Sequence, residues 1–390
     1  RSVGGLTVQF NKVLRSIRMP SLRTVRGDVI VLQNAELAVF DAPAIARVNG
    51  AFVFQGTPAL TTFSFPELRW VAGDIQLRSN DQVKAVDLPE LVSAGGLVVS
   101  YADALTRIDV RSLEEVSGEI EVKYNDLMSH LSFPKLEEAG GLAIRYSDAL
   151  VSVSAPKLTH VTAGCLRLQY NDAVTSFWLP VLEEVAGCVS IGGNAALASF
   201  SFPLLKSVGL EVKEAPSGGS FTFSANDSLT KIGVPLLEKV GGLRACGNPV
   251  IKTFAMVALK EVDLDIEIKK NEAMTSFSFP ALHRVRNVDV RQNAALDNFA
   301  FSKLVEMSGE LALSGNASLQ SPSFPKLRRA RRVIFDANAS ATTFELKSLE
   351  EVRDFGVHVT DNPKLTSLKL HALEVVDGKF EGIQLVGNGA

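Results

Sequence analysis

A repeat of 22 to 24 residues runs through this 390-residue chain and limits what it can fold into. The stretches "TTFSFPELRWV" from Thr61, "ASFSFPLLKSV" from Ala198 and "TSFSFPALHRV" from Thr275 are near-copies of one part of it. Taking the leucine of "P-x-L" as the anchor gives Leu22, Ile45, Leu68, Leu91, Leu113, Leu136, Leu158, Leu182, Leu205, Leu237, Leu259, Leu282, Leu304, Leu327, Leu349 and Leu373. Fourteen of the fifteen spacings are 22 to 24 residues, and the other, Leu205 to Leu237, is 32. No linker or change of composition interrupts the series. A single continuous domain over residues 1–390 is expected, with an inserted loop at about 210–221.

The consensus G-x-L-x-L-x-x-N-x-x-L-x-S-F-x-F-P-x-L-x-x-V holds three apolar stretches. L-x-L and F-x-F alternate with period two, the mark of strands with one buried face. Ser, Asn, Gly and Pro cut both off at lengths too short for helices. Proline has no N–H, so its place directly after F-x-F suits a strand end or corner. One turn cannot bury these faces alone, so successive turns must stack. The prediction is all-β: a parallel β-solenoid of about 16 turns, on the order of 75–80 Å long at a strand spacing of ~4.8 Å. The pairs Phe63/Phe65, Phe200/Phe202, Phe277/Phe279 and Phe299/Phe301 become an interior aromatic file, with serine facing out between the first three pairs.

Asparagine recurs ahead of each F-x-F. The column reads Asn11, Asn34, Thr57, Asn80, Ala102, Asn125, Ser147, Asn171, Asn194, Asn226, Asn248, Asn271, Asn293, Asn316, Asn338, Asn362 and Asn388. Fourteen of these seventeen are asparagine, which predicts inward-turned amides bridging the backbones of successive turns. The N-x-S matches at Asn226, Asn316 and Asn338 fall in this column, so they are discounted as glycan sites.

L-x-L-x-x-N resembles the core of the leucine-rich repeat. With its preceding glycine and all-β return through F-x-F-P, the pattern looks more like the receptor L domain. It is also similar to the repeats of fungal GPI-anchored cell-wall proteins. The resemblance runs from "GGLTVQFN" at Gly4 to "IQLVGN" at Ile383. It implies a right-handed solenoid and an extracellular or cell-surface scaffold for structure or recognition. The chain departs from receptor L domains in having more turns in one run and no cysteine-rich modules.

Function is then sought where the repeat is broken. The only four tyrosines, Tyr101, Tyr124, Tyr146 and Tyr170, immediately precede the asparagine column in four consecutive turns. They should form an exposed stripe, either a surface ladder or a strip that binds glycan or protein. Trp178 stands where serine usually faces out and is a further candidate contact. Cys165 and Cys188 both lie six residues before the column, so they should be neighbours on adjacent turns and a possible disulfide; Cys246 has no evident partner. Arg328, Arg329, Arg331 and Arg332 form either a solvated rim or a contact for an acidic partner.

A net charge of −3 gives no argument for nucleic acid, and no apolar run approaches the ~18 residues of a membrane span. His130, His160, His283, His358 and His371 sit in separate turns, away from metal-ligand spacing. No nucleophile elbow, zinc-protease motif or phosphate loop is present. The paired glycines at Gly95, Gly140 and Gly241 read as turn glycines. Neither an enzyme nor a cofactor is expected. The chain opens inside a repeat, as expected of a trimmed or mature segment, and it shows no terminal caps. The reading is an extracellular structural scaffold, with assembly end to end as a filament subunit as one form of it; the alternative is an adhesion or recognition ectodomain using the tyrosine stripe.

Overall fold

The computed structural model describes residues 1–209, 219–378 and 382–389. Every pairing among these residues is parallel and no helix occurs, so the chain is a β-solenoid of about 16 coils. Contacts divide it into two compact units, Arg1–Leu197 and Ala198–Ala390.

In the first unit the L-x-L segments build a parallel sheet from Leu6–Gln9, Val29–Leu32, Phe52–Gln55 and their successors to Val189–Gly192. Leu6, Val29, Phe52, Ile75, Leu97, Ile120, Leu142, Leu166 and Val189 lie in one register column. A one-residue slip would turn the apolar file outward, so burial fixes this register. The third stretch, L-x-x-V, joins the same sheet. In Trp70–Arg78, Ser93–Ser100, Glu115–Lys123 and Glu138–Arg145 it is continuous with L-x-L through an irregularity.

Those irregularities explain the paired glycines differently from a turn. Gly95 does not have positive φ; a Cβ there would lie 2.6 Å from the Ala72 carbonyl oxygen. Gly140 is crowded by the carbonyls of Ser117 and Gly118. Close approach of neighbouring coils, not backbone freedom, excludes a side chain at both places.

The F-x-F segments form the opposite wall, as in Ala85–Asp87 paired with Arg107–Asp109, and His130–Ser132 with Ser152–Ser154. In the second unit, Phe221, Leu243, Ile266, Val288, Leu311, Val333 and Val357 repeat the interior column. Its F-x-F wall is thinner than the sequence implies, since Ala300 and Ser323 make only isolated bridges. Phe277 and Phe299 still stack inside at 4.6 Å, and the named Phe pairs are all buried.

At the corner between the walls, the asparagines from Asn34 to Asn362 are fully buried. Asn34 Nδ2 donates to the Val8 carbonyl at 3.0 Å, and its Oδ1 accepts the Asn11 N–H at 3.1 Å. Asn171, Asn248, Asn271, Asn293, Asn316 and Asn338 donate in the same way to the coil before. Asn11 and Asn362 complete their side-chain links through Asn34 and Asn388. Each of these amides therefore bonds backbone groups of a neighbouring coil at the corner. Glycans on Asn226, Asn316 or Asn338 would have to replace buried amides of this ladder. Where Ala102 breaks the column, the Asn80 N–H bonds to the Tyr101 carbonyl at 3.2 Å instead.

Candidate recognition surface

The residue before each ladder position adopts a left-handed conformation, from Phe10 (φ 57°) through Gln33, Gly56 and Ser79 to Gly193 in the first unit. This conformation turns the chain so that the next side chain points inward. Tyr101, Tyr124, Tyr146 and Tyr170 occupy it at φ 51–55°. Their rings stack in one file with centroid separations of 4.6, 4.7 and 4.8 Å and interplanar angles of 14°, 1° and 4°. Tyr101, Tyr146 and Tyr170 are exposed and Tyr124 is half-buried. Tyr170 lies over Gly193, where an added Cβ would come within 2.5 Å of its ring.

A non-glycine residue in this backbone region costs about 1–2 kcal/mol, and an aromatic pair returns about 0.5–1.5 kcal/mol beyond its area. The backbone cost falls on any non-glycine residue in this column, Gln33 and Ser79 included, whereas the three stacked pairs belong to tyrosine alone. Stacking also spends the ring faces on each other. Along the file, solvent meets ring edges and hydroxyls, and only the end rings, Tyr101 and Tyr170, have a face not covered by another tyrosine, that of Tyr170 lying over Gly193. Partial burial, then repulsion from the phenols of Tyr101 and Tyr146, pushes the Tyr124 phenol above its usual range.

Beside the file lies a charged support on the outward sheet face. Glu121 is 8% exposed and accepts from Lys123 at 3.0 Å and from Arg145. Burial alone would raise its carboxyl, but the two cations outweigh it and hold the group below the usual carboxylate range.

A further file went unread in the sequence. Every tyrosine is followed two residues later by aspartate: Tyr101–Asp103, Tyr124–Asp126, Tyr146–Asp148 and Tyr170–Asp172. With Asp81 these form five exposed carboxylates on consecutive coils. No ion pair joins them among the described residues, whereas nearby Asp87, Asp109 and Glu119 are paired with arginine. The Y-x-D spacing was the available signal. Like charges at ~4 Å repel by about 1 kcal/mol even in water, so the row is mildly unfavourable without a counter-charge.

The other sequence candidates lie apart from this file. Trp178 is 61% exposed but belongs to Ser176–Trp178 on the F-x-F wall, aligned with Ser154. Trp70, the chain's other tryptophan, is covered by the Arg47 guanidinium at 3.9 Å. Cys165 and Cys188 form a disulfide with Cα atoms 4.4 Å apart; Cys246 is a free thiol whose pKa burial raises. All four arginines of the basic cluster have carboxylate partners: Arg328–Glu350 at 2.9 Å, Arg329–Glu351 at 3.5 Å, Arg331–Asp354 at 2.7 Å and Arg332–Glu310 at 3.6 Å. This supplies the rim reading with its counter-charges and removes the need for an acidic partner. Residues 210–218 of the inserted loop lie outside the described residues.

A cleft of about 490 Å³ in the second unit is lined by Asp263, His283, Arg284, Arg286, Glu306 and Ser308. Its charges are engaged, with Arg286 on Asp265 at 3.0 Å and His283 facing Glu261 at 3.7 Å. Among the described residues, no group of three or more His, Cys, Asp or Glu side chains is placed to hold a metal ion.

No family model and no curated protein sequence matches the chain. Among solved structures it is similar to a leucine-rich repeat protein from Bacteroides ovatus, with a TM-score of 0.40, 11% identity, and coverage of 100% of this chain and 86% of that one. A leucine rich cell surface protein from Faecalibacterium prausnitzii gives a TM-score of 0.26 at 11% identity, covering 93% of this chain and 89% of the other. At these scores neither likeness bears on function, and the fold assignment stands on the strand register above.

Proposed function

We propose that this chain is a non-enzymatic repeat scaffold of the cell surface that docks a partner along the Tyr101–Tyr170 file. The carrying observation is the exposed four-ring stack, which gathers the chain's four tyrosines on consecutive coils. Because ring faces are spent internally, a sugar ring lying flat on tyrosine is confined to the two ends of the file, at Tyr101 and Tyr170. A partner that touches ring edges and hydroxyls over several coils fits better. The Cys165–Cys188 disulfide supports an oxidising, extracellular setting.

The test replaces Tyr101, Tyr124, Tyr146 and Tyr170 with serine, which Ser79 already shows is accommodated in this column. Binding to intact cells and to arrays of glycans and proteins should vanish while circular dichroism and melting stay near wild type. Binding that survives the change refutes the docking role.

Self-association into a filament is the competing use of such a scaffold. It is favoured by the open-ended way in which each coil presents the same ladder to the next. Negative-stain microscopy of the full chain reads it directly: end-to-end oligomers support it, and discrete particles at high concentration refute it.

A further inference from the structure

Separately from what docks there, we propose that the tyrosine file is a site of oxidative modification, where carbon–carbon bonds between tyrosines join two copies of this chain.

Ring position supplies the first argument. A phenol that loses one electron and one proton becomes a radical with its spin on the oxygen and on the ortho and para ring carbons. The para carbon carries the side chain, so coupling falls to the two carbons that flank the hydroxyl. In the file those are the atoms left to solvent, because stacking at 4.6–4.8 Å covers the inner faces and leaves the edges open. Tyr101, Tyr146 and Tyr170 are exposed, and with Tyr124 they are the chain's only tyrosines.

Stacking supplies the second argument, in two ways. Neighbouring π systems share an electron hole, so a stacked phenol is oxidised more readily than an isolated one. The same packing forbids a bond inside the file. A biaryl bond lies in the plane of both rings, whereas these rings are parallel to within 14° and lie one above another. An intact stack therefore keeps its members from coupling to each other and leaves the radical for a ring edge of another copy. Cys165, in the same coil as Tyr170, is bound to Cys188 and offers no thiol to quench it.

The oxidant is hydrogen peroxide acting through a haem peroxidase. Each of two phenols gives up one electron and one proton, and the two radicals join through their ortho carbons. The hydrogen on each joined carbon leaves as a proton and returns to the phenol oxygen, which restores both rings. Peroxide takes up the two electrons and two protons, its O–O bond breaks, and two waters form.

Treating the full chain with hydrogen peroxide and a haem peroxidase tests this. The readouts are dityrosine fluorescence, denaturing gels, and mass spectrometry of mixed heavy-isotope and ordinary chains. Covalent dimers and larger species are expected, with linked peptides that carry file tyrosines and pair heavy with light chains. Tyr124→Ser/Tyr146→Ser leaves Tyr101 and Tyr170 three coils apart and unstacked, and Ser79 shows that serine is accommodated in this column. Dityrosine formation per phenol should fall about tenfold in that variant, equivalent to ~1.4 kcal/mol of radical stabilisation lost with the stack. Equal or faster coupling per phenol would mean that exposure alone is responsible, and overturns the proposal. Linked peptides that never mix isotopes, or the absence of dityrosine, overturn it too. Circular dichroism of the variant excludes unfolding as the cause.

Discussion

Replacing Asn271 with alanine tests the ladder where it is most regular. Asn271 is fully buried; its Nδ2 donates to the Ala245 carbonyl at 2.8 Å and to Asn293 Oδ1 at 3.2 Å. Its Oδ1 accepts the Asn248 N–H at 3.0 Å and Asn248 Nδ2 at 3.2 Å. Alanine leaves a buried N–H and a buried carbonyl without these partners, at about 1–3 kcal/mol each. Some recovery is built into the fold, because Asn80 finds the Tyr101 carbonyl where Ala102 offers no amide. A net loss of about 3 kcal/mol is expected, equivalent to roughly 150-fold in a local opening constant. Repeat arrays need not unfold in one step, so native-state hydrogen exchange is the better assay. Protection should fall about 100-fold for amides near Ala245, Asn248 and Asn271, and much less in distant coils. A fall under about threefold would show that the amides fill space without carrying backbone hydrogen bonds, and would refute the reasoning.

The remaining expectations address other parts of the fold. Gly193→Ala adds a Cβ at φ +66° and beneath the Tyr170 ring, and should cost about 1–3 kcal/mol in urea unfolding, with a matching change in tyrosine circular dichroism. Tyr124 holds its proton more tightly folded than unfolded. Its contribution is therefore complete below the unfolded value of 10.0 and is lost as pH rises through the folded value; absorbance titration should show delayed tyrosinate formation that Tyr101→Ser and Tyr146→Ser bring earlier. Glu121 is depressed, so its stabilisation is present above 4.5 and is lost as pH falls; Glu121→Gln should flatten unfolding free energy against pH in that acidic range. Thiol titration of denatured, unreduced protein should count one cysteine and reduced protein three; three before reduction would remove the disulfide and the argument from it for an oxidising compartment.

The sequence alone determined the repeat, the two alternating walls and the inward asparagines, because burial with period two leaves one register for each strand. Phe277 and Phe279 could be assigned to the interior, and Trp178 to the outside, from alternation alone. The disulfide partners followed from sharing a column. Other features depended on backbone geometry that residue types do not announce. Left-handed φ at Tyr101, Tyr124, Tyr146 and Tyr170 is shared with Gln33, Ser79 and Gly193, so composition hides it. Gly95 and Gly140 read as turn residues until the approach of the neighbouring coil was visible. The partners of the arginines of "KLRRARRV" were hidden in the sequence because their carboxylates come from other coils, 22 or 23 residues away. Most consequentially, the sequence placed four tyrosines in a row, but only their packing showed that the ring faces are spent on one another. That turns a flat aromatic platform into a row of edges beside five carboxylates, and it changes the kind of partner the surface can take.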